Sequence, residues 1–458
     1  MCVMKESEKK MLDEILGRFE RMEIKGISID SRTIKEGELF VAIQGDRFDG
    51  HDFVPEVIKK GAWGALVERI ALEKKYGSLG GLKNILPVED TILALQEMSQ
   101  RHRKKFDIPV IGITGSNGKT TTKEMLACIL RQRGPVLKNE GNLNNHIGVP
   151  LTLLKLDGRH RSAAIEMGMS ALGEIDTLAR IVRPDVGMIT NIGPAHLEFL
   201  GTLGTVAQAK AELLRNLKSD GTAVLNADDP FFNTLKNAYD GRILSFGIKN
   251  RSNVSVSNIR QGQDFTDIAI EADGLKAKVR LPAVGRHNVY NALAAAAGAL
   301  AVGLQLEAVK DGLEGFSPVS MRSELKQVKG RTVLADYYNA NPGSVQAALE
   351  TLISLTAGKS SVAVLGDMLE LGEAAADAHR EVGRIAARLG IDVLITLGTL
   401  AKCINEGALE AGMPQDRVIS AGSHGEAAAM LKERSKNGDA VLIKGSRAMK
   451  MEKILEEF

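Results

Sequence analysis

The chain has 458 residues, enough for about two to four domains, each with its own core. Charged residues make up 25%, yet the formal net charge is only +2 and no basic run stands out, which speaks against a nucleic-acid-binding surface. Aromatic residues, at 4%, are too few for a platform of stacked bases.

Cys2, Cys128 and Cys403 are odd in number, far apart and without C-x-x-C spacing. They point to a reducing compartment and away from a disulfide framework or a zinc site. The opening segment, residues 1–10, is too charged for a signal peptide, and no apolar stretch of about 18 residues predicts a membrane span. A cytoplasmic protein is expected.

Residues 1–105 read as a first unit. Met11, Leu12, Ile15, Leu16, Phe19 and Met22 recur at helical spacing and predict an amphipathic opening helix. A short strand near Ile27 and Ile29, a polar turn and a second strand over residues 37–43 follow. Asp30-Ser31-Arg32 sets an acceptor, a hydroxyl and a cation side by side, a combination that can hold a ribose or a diphosphate. The same triplet is also what a turn closed by a surface ion pair requires.

The second unit, residues 106–316, opens on an apolar run, Val110-Ile111-Gly112-Ile113, that leads into Thr114-Gly115-Ser116-Asn117-Gly118-Lys119-Thr120-Thr121. Behind it, Met125, Leu126, Ile129 and Leu130 mark one face of a helix. A strand, a glycine-bracketed turn and a helix are the context of a phosphate-binding loop. Glycine lets backbone N–H groups crowd around an anion, and the helix N-terminus aims its positive end at the same point. Lys119 can then reach the outer phosphates of ATP, and the Thr120 hydroxyl can ligate Mg²⁺. The standard G-x-x-x-x-G-K-[ST] spacing would need glycine at 113, which is Ile113, so a simple capped turn is the competing reading.

Farther on, Ala163-Ala164-Ile165 reads as a buried strand ending in Glu166, and residues 185–190 as another ending near His196. In an open parallel sheet, ligands sit beyond the carboxyl ends of strands. Glu166 there suits a Mg²⁺ ligand; His196 is equally a hydrogen-bonded loop histidine or a site residue. Lys210 lies on a helix among alanines, as a site lysine or a snorkelling side chain. Period-two alternation over residues 253–281 predicts a small antiparallel meander, and the alanine-rich run 292–301 a buried helix.

The third unit, residues 317–458, alternates strand and helix. Strands are predicted at 332–335, 362–365, 393–397, 418–420 and 440–443, with helices between them, giving a doubly wound parallel sheet. Three polar loops, at 336–342, 366–372 and 444–447, share its carboxyl edge.

Together these landmarks resemble the Mur ligase family, the ATP-dependent amide-bond ligases that build the peptide stem of bacterial peptidoglycan. The resemblance spans essentially the whole chain. It rests on the phosphate loop, Glu166-Met167-Gly168, Thr190-Asn191-Ile192-Gly193 with Ala195-His196-Leu197, Lys210, Gly285-x-His287-Asn288-x-x-Asn291 and Met321-Arg322. Four stretches are most similar to the family member that joins D-Ala-D-Ala to UDP-N-acetylmuramoyl-tripeptide: Asp30-Ser31-Arg32 with residues 37–43, residues 336–342, 366–372 and 444–447. The Asp-Asn-Pro-Arg tetrapeptide of the sibling that selects diaminopimelate is absent.

The resemblance implies an α/β chain of three domains. Residues 1–105 would form a small nucleotide-sugar domain for the UDP-muramoyl peptide, 106–316 a central ATPase-like parallel sheet, and 317–458 a Rossmann-like domain for the incoming dipeptide. Thr114, Gly115, Ser116, Asn117, Gly118, Lys119, Thr120 and Thr121 would hold the ATP phosphates, Asn288 and Asn291 the adenine, and Arg322 and Asp336 would complete the nucleotide site. Two Mg²⁺ ions are implied: Thr120 and Glu166 as ligands of one, His196 and Lys210 at the other. The family's lysine is commonly carbamylated, which turns a cation into a carboxylate-like anion. Asn144, Asn145, Asn339 and Asn341 would face substrate, and Asp30, Ser31 and Arg32 the uridine nucleotide.

The implied reaction converts the tripeptide carboxylate to an acyl phosphate, which the amine of D-Ala-D-Ala attacks, giving UDP-MurNAc-pentapeptide, ADP and phosphate. Lys119, His196 and Lys210 would carry the chemistry in a monomeric enzyme. The competing readings are a sibling ligase adding a single amino acid, a P-loop kinase or ATPase with no amine acceptor, and a non-catalytic nucleotide-binding module.

Overall fold

The computed structural model describes residues 5–76, 84–356 and 358–458. Cys2 and the first four residues of the charged opening segment lie outside the described residues. The chain groups into two compact units. One comprises Met1–Val110, Gly134–Gly168 and Asp176–Arg183, and the other Ile111–Arg133, Met169–Ile175 and Pro184–Phe458.

In the first unit, helix Glu6–Glu20 turns Leu12, Ile15 and Leu16 inward at helical spacing. It stops before Met22, which takes a left-handed conformation (φ 62°) and stands exposed, so the predicted apolar stripe loses its last member. The strands Gly26–Ser28, Glu38–Val41, Gly64–Glu68 and Ile85–Val88 form a parallel sheet in that order. Helix Thr91–Arg103 starts at Asp90, whose carboxylate accepts from the N–H groups of Ile92 and Leu93 at 2.8 and 2.9 Å. That satisfies two of the donors a helix start leaves unpaired. Leu12, Leu16, Leu39, Leu95 and Met98 meet in one buried core. The same unit holds the parallel pair Val136–Lys138 and Ser162–Glu166, the latter buried throughout and carrying Glu166 at its carboxyl end.

In the second unit, residues 111–114 pair in parallel with Val186–Ile189, with Thr114 opposite Ile189. Their carboxyl ends therefore lie side by side, which brings loops 115–118 and 190–196 together. Thr222–Asn226 and Arg242–Phe246 extend the sheet in parallel. Val254–Gln261, Thr266–Ala272 and Leu275–Leu281 then form the antiparallel meander expected from their alternation. Helix Lys119–Leu130 buries Met125, Leu126, Ile129 and Leu130, and helix Arg286–Ala301 buries its alanine run.

The last sheet runs in the order Glu324–Val328, Arg331–Ala335, Ala440–Lys444, Ser361–Gly366, Val393–Leu397, Val418–Ala421. All its pairs are parallel except the first. That antiparallel edge strand corrects the purely parallel expectation. Its residues are half-exposed and alternate charge with Leu325, so no apolar run announces it. Leu334, Ala363 and Leu442 face one core with helix Pro342–Leu355; Val333, Val364 and Val441 face the other with Leu431 and Ile454. Arg331–Ala335, Ala440–Lys444 and Ser361–Gly366 are adjacent, so the three polar loops that follow them emerge at one edge.

Candidate active site

The phosphate loop is shaped by two glycines in positive-φ backbone, Gly115 (148°) and Gly118 (81°). A Cβ on Gly115 would stand 1.9 Å from Oγ1 of Thr190, and one on Gly118 would stand 2.2 Å from Oδ1 of Asn291. Only glycine fits where loop 190–196 and helix Arg286–Ala301 press this close. Helix Lys119–Leu130 starts directly at Gly118, so its unpaired N–H groups open into the loop.

Neighbouring side chains set the loop's backbone. Asn191 Oδ1 accepts from the N–H of Asn117 at 2.9 Å, and Asn191 Nδ2 donates to its carbonyl at 3.0 Å. Thr190 Oγ1 donates to the same carbonyl at 2.6 Å. Ser116 Oγ donates to the carbonyl of Gly193 at 2.9 Å and accepts from its N–H at 2.8 Å. Lys119 Nζ lies over the loop, donating to the Gly115 carbonyl at 2.7 Å. The Thr114 hydroxyl at the foot of the loop is buried with no hydrogen-bond partner among the described residues. Thr120 is buried and Thr121 half-buried in the first helical turn.

Asn288 and Asn291 lie one turn apart on Arg286–Ala301. Asn291 donates to Asn288 at 3.0 Å and accepts from Thr122 at 3.3 Å, so Asn291 borders the phosphate loop and Asn288 backs it. His196 enters from the other side in left-handed backbone (φ 56°). Its Nδ1 stands 2.8 Å from Oε2 of Glu370. Burial holds the imidazole below its ordinary pKa; Glu370 opposes this, and the charges of Lys119 and Lys210 add to it. Lys210, on helix Leu203–Arg215, is 1% exposed, and burial, then the Lys119 charge, holds its amine well below the ordinary lysine range.

The polar edge of the last sheet reaches the same loop. Asn341 caps helix Pro342–Leu355 by accepting from the Ser344 N–H at 2.9 Å. Its amide also pairs reciprocally with that of Asn117, donating at 2.8 Å and accepting at 3.3 Å. Asp336 is held by Lys444, whose buried Nζ donates to its carboxylate at 2.6 Å and to the Asn339 carbonyl at 2.9 Å. The Ser323 N–H supplies a further donor to Asp336 at 3.0 Å. Arg322 stacks its guanidinium 3.8 Å over the Tyr338 ring.

The first unit gathers a second set. Asn144 Nδ2 donates to the Glu166 carboxylate at 2.9 Å. Asn139 brackets the Glu166 backbone, accepting from its N–H at 2.7 Å and donating to its carbonyl at 2.9 Å. Asn145, by contrast, folds back on its own turn, accepting from the N–H groups of Ile147 and Gly148 at 3.2 and 2.8 Å just before helix Gly148–Leu153. Asp30, Ser31 and Arg32 form a turn closed by Arg32, which donates to both Asp30 oxygens at 2.9 and 2.7 Å. Those bonds hold the Asp30 carboxyl down to about 2, and Arg32 is largely exposed.

Sequence reasoning singled out neither Asn139 nor the individual parts played by Asn191, Glu370 and Lys444. The last three lie in stretches already conspicuous for their polarity at strand ends; Asn139 follows a short strand with no such signal. Among the described residues, no group of three or more His, Cys, Asp and Glu side chains forms a metal cage. No helix among them is long and apolar enough to cross a membrane.

The family models called Mur ligase family, catalytic domain, Mur ligase middle domain, and Mur ligase, glutamate ligase domain match residues 23–103, 113–299 and 321–447. UDP-N-acetylmuramoyl-tripeptide–D-alanyl-D-alanine ligase of Bacillus subtilis (strain 168) is 37% identical, covering 96% of this chain and 94% of its own length. The enzyme of the same name from Escherichia coli (strain K12) is 35% identical, with 94% and 92% covered. The crystal structure of MurF from Acinetobacter baumannii superposes with a TM-score of 0.87 at 35% identity, covering 95% and 93% of the two chains. MurF ligase from Thermotoga maritima in complex with ADP gives 0.85 at 29% identity, covering 95% and 97%. A phosphate loop gripped by loop 190–196, together with matches along nearly the entire chain, places this protein in the Mur ligase family.

Proposed function

We propose that this protein is the ligase that joins D-Ala-D-Ala to UDP-MurNAc-tripeptide at the expense of ATP, completing the pentapeptide precursor of peptidoglycan. One observation carries the chemistry: a glycine-shaped loop at a helix start, overlaid by Lys119 and bordered by His196 and by Asn341 from the last sheet. The relatives' shared name carries the choice of substrates.

A peptide carboxylate repels an incoming nucleophile and is a poor electrophile. Transfer of the γ-phosphoryl group of ATP onto it forms an acyl phosphate and ADP. The amine of D-Ala-D-Ala attacks the acyl carbon, and the tetrahedral intermediate expels phosphate as the amide forms. The loop N–H groups and Lys119 would neutralise the γ-phosphate as it nears the carboxylate, the preorganised electrostatic stabilisation that phosphoryl transfer needs. Asn288 and Asn291 would border the adenine, and Arg322 and Asp336 would close the nucleotide site. Asn144, Asn145, Asn339 and Asn341 are assigned to substrate loops, and Asp30, Ser31 and Arg32 to the uridine nucleotide, which would first have to loosen the Arg32–Asp30 pair. The three domains, 1–105, 106–316 and 317–458, would bind sugar nucleotide, ATP and dipeptide in turn.

Mg²⁺ demands oxygen donors and keeps few protein ligands when a polyphosphate supplies the rest. By donor chemistry the Thr120 hydroxyl and the Glu166 carboxylate would each offer oxygen to one ion, and Lys210, as a carbamate, would offer oxygen to the other, with His196 beside it. The amine of Lys210, buried and disfavoured as a cation, is the neutral form that adds CO₂ to become a carbamate. When bound, two such ions would screen the repulsion between the two reacting anions. The reading includes a monomer acting in the cytoplasm.

The test is phosphate release screened across UDP-MurNAc-tripeptide against D-Ala-D-Ala and single amino acids, with product masses determined. Release driven by D-Ala-D-Ala, with gain of a dipeptide mass, is the expected result. Release driven by a single amino acid, or by no amine at all, overturns the assignment.

A further inference from the structure

We infer that Glu370 forms the receiving site for the ammonium group of the incoming dipeptide, holding it beside His196. The inference rests on the proposed reaction and names a residue that the comparisons leave unassigned.

Loop 367–372 is fixed at three points that do not involve the Glu370 side chain. The Asp367 carboxylate accepts from the N–H groups of Thr399 and Ala401 at 3.2 and 2.7 Å. The Met368 N–H donates to Nε2 of His379, and the Leu369 N–H to the Ser446 hydroxyl, both at 2.9 Å. The next residue, Glu370, takes a left-handed conformation (φ 64°) that a residue with a Cβ adopts at a cost. His196, opposite it, does the same. The Glu370 backbone is tied as well, since the Glu198 N–H donates to the Glu370 carbonyl at 3.3 Å. Two strained positions facing one another, on loops anchored elsewhere, set these side chains in place before any ligand arrives.

The Glu370 carboxylate stands 2.8 Å from Nδ1 of His196, and its side chain is half exposed, so it can be reached from solvent. Lys119 acts electrostatically on the same imidazole, so this carboxylate looks towards a cationic side chain. The attacking amine reaches the enzyme as a cation, as an α-amino group of pKa near 8 is largely protonated at pH 7. A cation entering beside Lys119 would be repelled unless an anion met it. Glu370 supplies that anion from the segment assigned to the dipeptide.

The experiment is a comparison of KM values for Glu370→Gln and Glu370→Asp with UDP-MurNAc-tripeptide, ATP and D-Ala-D-Ala. Loss of a charge-assisted contact should raise the dipeptide KM of Glu370→Gln about tenfold or more. Its KM for ATP should move far less, and Glu370→Asp should recover part of the loss. A dipeptide KM equal to that of the parent, or ATP and dipeptide KM rising together, overturns the inference, the latter because Glu370 would then act through His196. Wild-type protein gives a second reading whatever the variants' stability. Propionyl-D-alanine, which lacks only the ammonium, should inhibit with a constant at least about tenfold above the dipeptide KM; equality of the two refutes the site. Failure of the wild-type protein to release phosphate with D-Ala-D-Ala refutes the proposed function and this inference together.

Discussion

Replacing Lys210 with methionine should stabilise the protein while ending its activity. Lys210 is 1% exposed on helix Leu203–Arg215, and burial, reinforced by Lys119, holds its amine well below the ordinary lysine pKa. In the unfolded chain the same amine titrates near 10.4. Between the lowered folded value and about 10.4, the unfolded state binds a proton that the folded state does not, so stability rises with pH across that window. The penalty is absent above about 10.4, grows by up to about 1.4 kcal/mol per unit as pH falls, and levels off below the folded pKa. Methionine fills a similar volume with nothing to protonate. At pH 7 the Lys210→Met protein should therefore be about 1–4 kcal/mol more stable than its parent, with the gap closing towards pH 10. Urea denaturation between pH 7 and pH 10 in CO₂-free buffer measures this directly. Parallel stability curves for the two proteins would refute the argument, because Lys210 would then be charged in the fold.

Lys119→Ala should keep the fold, since the side chain is half-buried and donates to loop carbonyls rather than into a core, and should abolish ADP release with both substrates present; near-normal turnover by a well-folded variant contradicts its role. Asn341→Ser keeps an acceptor for the Ser344 N–H but is too short for Asn117, so the ATP KM should rise about fivefold to tenfold with the helix cap intact. Asn341→Ala should lose a further ~1 kcal/mol of stability through the cap, and equal stability of the two variants would count against that division. Gly118→Ala forces a Cβ into left-handed backbone 2.2 Å from Asn291, and should cost about 1–2 kcal/mol for the backbone alone while weakening ATP binding. Gly141→Ala, also at positive φ but with nothing within 4 Å, is the control and should leave ATP affinity unchanged.

The strand–loop–helix at residues 110–130 was legible because three local signals coincide there: an apolar run, two glycines and a helical stripe. Both glycines proved to be sites where a Cβ would collide, a requirement written in the residue type itself. The alternating segments of the last unit were equally plain, apart from the edge strand Glu324–Val328, whose half-exposed, charged residues give no periodic signal. Roles that depend on distant partners were not legible. Asn145 and Asn341 look alike as loop asparagines, yet one closes a local turn while the other caps a helix and also pairs with the phosphate loop. Asp30-Ser31-Arg32 closes on itself through the Arg32 guanidinium, which residue identity permits but does not demand. Glu370 was hidden for the same reason, because its significance lies in a left-handed turn aimed at a histidine 174 positions earlier.

If ATP activates the tripeptide carboxylate as an acyl phosphate before the amine attacks, one oxygen of that carboxylate must leave with the phosphate. UDP-MurNAc-tripeptide labelled with ¹⁸O in its terminal carboxylate, incubated with ATP, Mg²⁺ and D-Ala-D-Ala, tests it directly by the mass of the released phosphate. One labelled oxygen carried into phosphate for each amide formed is the predicted result. Phosphate released without label, while the amide still forms, would contradict it.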